Sequence, residues 1–334
     1  MTLKVAINGF GRIGRSAMRM MLESFSDRID VVALNASGGA AANVHLLKYD
    51  SVHGRFSKSV EADGENLAVD GKTIRLTGER DPANIDWTGI DVVLECTGAF
   101  GSKEASMAHI RQGAKRVLVS AVAKNADKTV VYGVNQHVLD ETDQVVSTGS
   151  CTTNCLSPVA MVLNNTIGIE KGFMSTIHSY TGDQPTLDRR HRDPYRGRAA
   201  AMSIIPTTTG AARAVGLVLP ELLGKLDGGA IRVPTPNVSL VDLNFNPSRK
   251  TSIEEINAAI KEAAEGPLKG IMAYDEEETV SVDYNHTTTA SNFAGLQTRV
   301  MHGDLARVFS WYDNEWGFTN QMLKTALAMG ETIG

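Results

Sequence analysis

At 334 residues the chain is long for a single domain, and two are expected. Hydrophobic residues make up 42% of it and aromatic residues only 6%, which supplies a large aliphatic core and excludes a disordered chain. A formal net charge of −5 gives no general attraction to nucleic acid or to a membrane surface.

The N-terminus, Met1-Thr2-Leu3-Lys4, has neither the hydrophobic stretch nor the cleavage site of a signal peptide. No later apolar run approaches the roughly 20 residues that span a bilayer, so a cytoplasmic protein is expected. Leu3 to Asn8 is a short apolar run, and Gly9-Phe10-Gly11-Arg12-Ile13-Gly14 follows at once. A helix-periodic segment from Arg15 to about Phe25 and a second buried strand, Ile29 to Leu34, come next. Strand, G-x-G-x-x-G, helix and strand in this order predict a dinucleotide site. Gly9 allows the tight turn, Gly11 lets the backbone approach a pyrophosphate, and Gly14 lets helix and strand pack closely. The helix N-terminus then faces the phosphates.

A cofactor with a free adenosine ribose 2′-hydroxyl normally meets an acid at the end of the second strand. Here that place is Leu34-Asn35-Ala36-Ser37-Gly38-Gly39, and the nearby acid, Asp30, lies at the other end of the strand. Val69-Asp70-Gly71-Lys72 predicts a tight turn between strands. Asp91 to Cys96 predicts a buried strand with Cys96 in the core, Ser102 to Gln112 a helix, and Lys115 to Ser120 another strand. The alternation describes a doubly wound parallel sheet up to about residue 148.

Ser150-Cys151-Thr152-Thr153-Asn154-Cys155 precedes an apolar run, Leu156 to Leu163, with helical spacing. Ser150 is a natural N-cap, which puts Cys151 in the first turn, where the helix dipole and unsatisfied N–H groups favour a thiolate. Cys155, one turn on, is expected to be packed. Cys96, Cys151 and Cys155 are too few for a disulfide framework and fit a reducing compartment. Their spacing is not that of a zinc site, and no metal is expected.

Beyond this helix the pattern changes to an α+β domain. Lys171 to Tyr180, Ile231 to Pro234, Ser239 to Asn246, Val280 to Tyr284, Thr298 to Met301 and Leu305 to Trp311 predict strands of a larger, partly antiparallel sheet. Ser252 to Ala264 predicts a capped amphipathic helix, and the chain ends in a helix from about Asn314 to Met329. His178, at a strand end, is a candidate base for a cysteine nucleophile. The five arginines between Arg189 and Arg198, Arg196 among them, predict an anion-binding loop. Thr207-Thr208-Thr209-Gly210-Ala211 opens a helix suited to hold an oxyanion. Arg232, between Ile231 and Val233, is committed to a ligand or an ion pair.

Taken together, these residues resemble the phosphorylating glyceraldehyde-3-phosphate dehydrogenase family nearly end to end. The resemblance runs through Asn8 to Arg15, His45 to Gly54 (HLLKYDSVHG), Ser150 to Cys155 (SCTTNC) and His178 to Gln184. It continues through Pro206 to Ala212, Arg232 to Ser239 (RVPTPNVS) and Trp311 to Gly317 (WYDNEWG). It implies an N-terminal Rossmann domain over residues 1–149, with a C-terminal helix at 315–332 packing back onto it, and a catalytic domain with a large mixed sheet over 150–314. It implies oxidation of D-glyceraldehyde 3-phosphate to 1,3-bisphosphoglycerate, with Cys151 as nucleophile and His178 as base. Thr181, Arg196 and Arg232 would hold the substrate phosphate, and Ser150, Thr152, Thr209 and Gly210 the attacking inorganic phosphate. Gly9, Gly11, Arg12, Ile13, Gly14, Arg80, Ser120 and Asn314 would hold the cofactor, Asn314 at its carboxamide. Family members are homotetramers, in which the loop around residues 181–204 reaches a neighbour's cofactor.

Two departures bear on the cofactor. Ala36 stands where NAD-preferring members carry the ribose-binding Asp, and Arg189-Arg190 stand where they usually have Leu-Pro. Losing an acid and gaining two guanidiniums suits a 2′-phosphate, so NADP use or dual NAD/NADP specificity is expected. Phe318 replaces a Tyr found in many members, with a modest effect expected. Erythrose-4-phosphate dehydrogenase is the alternative on the same scaffold, and its stretch after the histidine differs from Tyr180-Thr181-Gly182-Asp183. A thiol hydrolase and a catalytically silent binding protein are the remaining alternatives.

Overall fold

In the computed structural model, which describes residues 2–333, the alternating first half of the chain forms a nine-stranded sheet. Leu3–Asn8 (β1), Arg12–Ser24 (α1) and Ile29–Asn35 (β2) make the first parallel unit. Ala40–Lys48 (α2) and a small hairpin, Tyr49–Asp50 (β3) with Gly54–Arg55 (β4), lead into Val60–Asp63 (β5), Asn66–Val69 (β6) and Lys72–Thr77 (β7). Val92–Glu95 (β8), Lys103–Arg111 (α3), Arg116–Val119 (β9), Lys128–Thr129 (β10) and Val145–Ser147 (β11) complete the half. The strand order is β10-β11-β9-β8-β1-β2-β7-β6-β5.

From β10 to β7 every pair is parallel, whereas β7-β6-β5 is an antiparallel meander. The expectation of a parallel sheet is corrected at that edge. The cause is the turn at Asp70 (φ 48°) and Gly71 (φ 79°), two consecutive left-handed residues that reverse the chain in two positions. Asp70 holds the neighbouring strand as well, since its carboxylate accepts the backbone N–H of Ser59 at 2.9 Å.

The second half contains Cys151–Thr166 (α4), Ile169–Ser179 (β12), Ile205–Thr208 (β13), Ala211–Val218 (α5), Leu226–Val233 (β14) and Ser239–Pro247 (β15). Ile253–Glu265 (α6), Met272–Asp275 (β16), Ser291–Ala294 (β17), Arg299–Met301 (β18), Leu305–Tyr312 (β19) and Trp316–Glu331 (α7) follow. The sheet is mixed, in the order β13-β14-β12-β15-β19-β17-β16 with β18 on β19. Its inner side chains, among them Met174, Leu243, Phe245, Phe293 and Val308, bury against Leu156, Val159 and Leu163 of α4 and Ile256 and Ile260 of α6. Alternating burial along β12 is the period-2 pattern of a half-covered strand.

The strand expected at Val280 to Tyr284 is a 3₁₀ turn, Ser281–Tyr284. Its alternating apolar residues imitate a strand, but Asp283 accepts the Val280 N–H at 2.8 Å and closes the turn. The β16 and β17 strands went unpredicted because both are four residues long and neither contains a β-branched residue. Two compact units emerge. The first runs to Val130 and adds Gln136–Gly149 and the chain from Met322 on, and the second comprises Val131–Asn135 and Ser150–Gln321. No helix among the described residues is long and apolar enough to cross a membrane.

Candidate active site

In the first unit, β1 has β2 on one side and β8 on the other, so successive connections leave it in opposite directions. At this switch point open sheets bind ligands beyond their carboxyl ends. A cleft of about 440 Å³ lies there, lined by the Gly9–Gly11 turn, Ala36, Arg80 and Thr97 among others. The glycines divide their work as the motif requires. Gly9 has φ +96°, and a Cβ there would sit 2.7 Å from Thr97 Cγ2. A Cβ on Gly14 would lie 2.0 Å from the Gly9 carbonyl oxygen, so helix and turn touch through it. A Cβ on Gly11 would meet nothing within 4 Å, leaving that backbone open. With no acid in the first turn of α1, the cleft suits a dinucleotide pyrophosphate.

Arg12 and Ile13 stand in that first turn, but the Arg12 guanidinium pairs with Asp50. Against the cost of burial, Arg12 and the His53 and Val52 amides hold the Asp50 carboxyl far below its usual range. The Arg12 side chain is thus engaged within the protein. Ala36 and Arg80 line the cleft together with Glu79. Cys96, expected in the core, is half-buried and lines the cleft, because β8 ends at Glu95 and the chain turns there. Burial, and then Glu95, push its thiol up to about 12 against a hydrogen bond from Ser120, which follows β9. Beneath the cleft, Asn8 Nδ2 donates to Glu95 at 2.6 Å and Asn35 Nδ2 to Asn8 Oδ1 at 2.7 Å, a buried network that sequence patterns did not single out.

In the second unit, Ser150 caps α4 by accepting the Thr153 N–H at 3.0 Å, so Cys151 is the first helical residue. Its Sγ lies 3.4 Å from Nε2 of His178, 27 residues away in sequence. Nδ1 of His178 is 2.7 Å from the Ser179 carbonyl, which can only accept, and 3.2 Å from Arg232 Nη1, which can only donate; the shorter contact assigns the proton to Nδ1 and turns the Nε2 lone pair to the thiol. Burial, and then Arg232, push the imidazole down to about 3. Burial also pushes the Cys151 thiol up, opposed by Arg232 and by hydrogen bonds with Thr152. Desolvation thus opposes the thiolate that a helix start favours, while Arg232 and Thr152 support it. Tyr312, whose hydroxyl bridges Thr152 and Thr176 at 2.8 Å each, packs edge-on to the imidazole. Cys155 is fully buried, 3.5 Å from Ser291 Oγ, as packing predicted.

Strand register brings the cations to this pair. On β12 and β14, His178 faces Arg232, whose Nη1 donates to the Ser179 carbonyl at 2.9 Å and to Thr181 Oγ1 at 3.1 Å. Arg232 is buried, and its Nε has no protein partner, an unsatisfied donor suited to an anion. Arg196 Nη1 lies 3.5 Å from Asp183, and its Nε donates to Thr207 Oγ1 at 3.1 Å. Thr209 Oγ1 accepts the Ala211 N–H at 3.1 Å, and Gly210 caps α5. The hydroxyls of Ser150, Thr152 and Thr209 are therefore engaged within the protein. Asn314 is clamped through Oδ1 by the hydroxyls of Ser179 and Ser239, each at 2.8 Å. Arg189 donates to the Asp183 carbonyl at 3.3 Å, and Arg190 is exposed. Among the described residues no group of His, Cys, Asp and Glu is placed to hold a metal.

Residues 3–103 match the family model described as the glyceraldehyde 3-phosphate dehydrogenase NAD binding domain, and residues 150–314 match that of its C-terminal domain. A glyceraldehyde-3-phosphate dehydrogenase of Cereibacter sphaeroides is 58% identical over 333 residues, covering 100% of both chains. One of Xanthobacter flavus is 59% identical, covering 99% of each, and one of Geobacillus stearothermophilus is 54% identical, covering 98% of each. Neither the family models nor these relatives carry the name of the erythrose 4-phosphate enzyme. The chain belongs to the glyceraldehyde-3-phosphate dehydrogenase family.

Proposed function

We propose that this chain catalyses the phosphorylating oxidation of D-glyceraldehyde 3-phosphate to 1,3-bisphosphoglycerate through a thioester on Cys151. The observation that carries the residue roles is the 3.4 Å approach of Sγ to an imidazole nitrogen whose lone pair is aimed at it. His178 Nε2 takes the thiol proton as sulfur adds to the aldehyde carbon, returns it to the alkoxide, and takes it again as that carbon is oxidised. The nicotinamide, when bound, supplies the two-electron acceptor. Inorganic phosphate attacks the thioester, and the departing thiolate recovers its proton from His178. Arg232, Arg196 and Thr181 hold the substrate phosphate, while the backbone around Gly210 and the cap of α4 receive the attacking phosphate. Asn314, fixed by two serines, orients the cofactor carboxamide. His178→Asn is expected to lower kcat by about 10²–10⁴ with little change in KM. It also slows iodoacetamide alkylation of Cys151 at pH 7, and unchanged alkylation overturns the base assignment.

The cofactor is NADP, or either cofactor. Ala36 stands in the cleft in place of the ribose-binding Asp, with Glu79 and Arg80 also lining it, and Arg189 and Arg190 supply guanidiniums on an exposed segment. The working assembly is a homotetramer. Ala36→Asp is expected to lower kcat/KM for NADP by about tenfold or more relative to NAD, as steady-state kinetics will read. A strong NAD preference that survives Arg189→Leu/Arg190→Pro overturns the assignment.

A further inference from the structure

The substrate-phosphate cluster already contains an anion. Thr181 Oγ1 donates to Asp183 Oδ1, and Asp183 Oδ2 lies 3.5 Å from Arg196 Nη1 and 3.4 Å from His191 Nε2. His191 Nδ1 lies 3.0 Å from the Asp193 amide nitrogen and 2.9 Å from the Asp193 carbonyl, which leaves Nε2 facing Asp183. The other acid near Arg196 is Asp193, at 3.8 Å, and it is tied down elsewhere by the Thr207 hydroxyl at 2.6 Å and the Tyr195 N–H at 3.0 Å. Asp183 is different: its side-chain partners include Thr181 and Arg196, two of the groups assigned to the substrate phosphate. Those contacts, with Arg232 behind, hold its carboxyl below the usual range although burial opposes this. The side chain is 44% exposed, which gives it room to leave.

We infer that Asp183 is a built-in competitor for the substrate phosphate, occupying Arg196 and the Thr181 hydroxyl until a phosphate dianion displaces it. The inference rests on the assignment of Thr181, Arg196 and Arg232 to that phosphate. A dianion brings two charges to the two guanidiniums where Asp183 brings one, and it reaches the vacant Arg232 Nε that Asp183 does not bind. A neutral aldehyde offers nothing in exchange and leaves the internal pairs intact. Asp183 thereby sets a threshold for the cationic pocket, which an anion enters only when its contacts outweigh the internal pairs that it breaks.

The test is calorimetric titration of the purified enzyme, at fixed ionic strength, with glycerol 3-phosphate, a phosphomonoester that carries no aldehyde. Asp183→Asn and, as a second replacement, Asp183→Ser are each expected to bind it about 5–10-fold more tightly than the parent protein. The same variants are expected to show a wider preference for D-glyceraldehyde 3-phosphate over unphosphorylated glyceraldehyde in kcat/KM, because only the phosphorylated substrate has to displace Asp183. Equal or weaker binding in folded variants, checked by their melting temperatures, overturns the inference and makes Asp183 a residue that positions Arg196. Undiminished binding in Arg196→Met and Arg232→Met overturns instead the phosphate assignment on which the inference stands.

Discussion

The chemistry at Cys151 turns on two desolvated groups, its own thiol and the His178 imidazole. His178 has its ordinary value near 6.5 when unfolded and about 3 when folded, so between these values the unfolded chain binds the extra proton. The contribution of His178 to stability is fully present above pH 6.5 and is lost as the pH falls toward 3. His178→Asn is expected to flatten that acid limb, seen as a smaller fall in melting temperature between pH 7 and pH 4.5 than the parent shows. An unchanged slope would assign the acid sensitivity in that window to another group. At this scale the sequence was legible where residue type is decisive: a cysteine after a capping serine, a histidine at a strand end, an arginine among apolar neighbours. It was not legible where burial decides, and the protonation of Cys151 is the example. Helix position argued for a thiolate, and only the depth of the site shows the desolvation that opposes it. Asp183 and Tyr312 escaped notice for the same reason, since their roles depend on what lies beside them in space.

The pairing of Cys151 with His178 is a property of elements. A helix rises about 1.5 Å per residue and a strand about 3.3 Å, so a strand returning beside α4 needs only about half as many residues to come level with the helix start. The last residues of β12 therefore arrive next to the cap, and parallel pairing with β14 sets Arg232 alongside. The glycine turn before α1 gives the sharpest prediction at this level. Gly14→Ala forces a Cβ to 2.0 Å from the Gly9 oxygen and is expected to destabilise the fold by about 1–3 kcal/mol, with loss of cofactor binding. Gly11→Ala meets no protein atom within 4 Å, so its melting temperature should stay unchanged while NAD and NADP affinity falls together. Equal thermal losses in both variants would contradict this division. The long, periodic elements were predictable, and so were short strands with β-branched residues such as β8 and β9, but not every short element was. Asp283 closes a turn where the apolar alternation called for a strand, and β16 and β17 carry little intrinsic preference for the extended form.

At the scale of the molecule, each unit has its own sheet and its own share of the chemistry, nucleotide cleft in one and thiol and anion cluster in the other. Composition indicated two domains and an aliphatic core but not the assembly. Leu187, Met202 and Ile204 are each more than 70% exposed, apolar surface of the kind that subunit contact covers. Light scattering is expected to give four times the 35.8 kDa chain mass, and a stable monomer would refute the tetramer. The three thiols, finally, are unequal. Burial holds both Cys96 and Cys155 at about 12, and neither has a base like His178 beside it. Alkylation near neutral pH should therefore stop at one equivalent per chain, which makes the protein its own standard for counting competent subunits in a preparation.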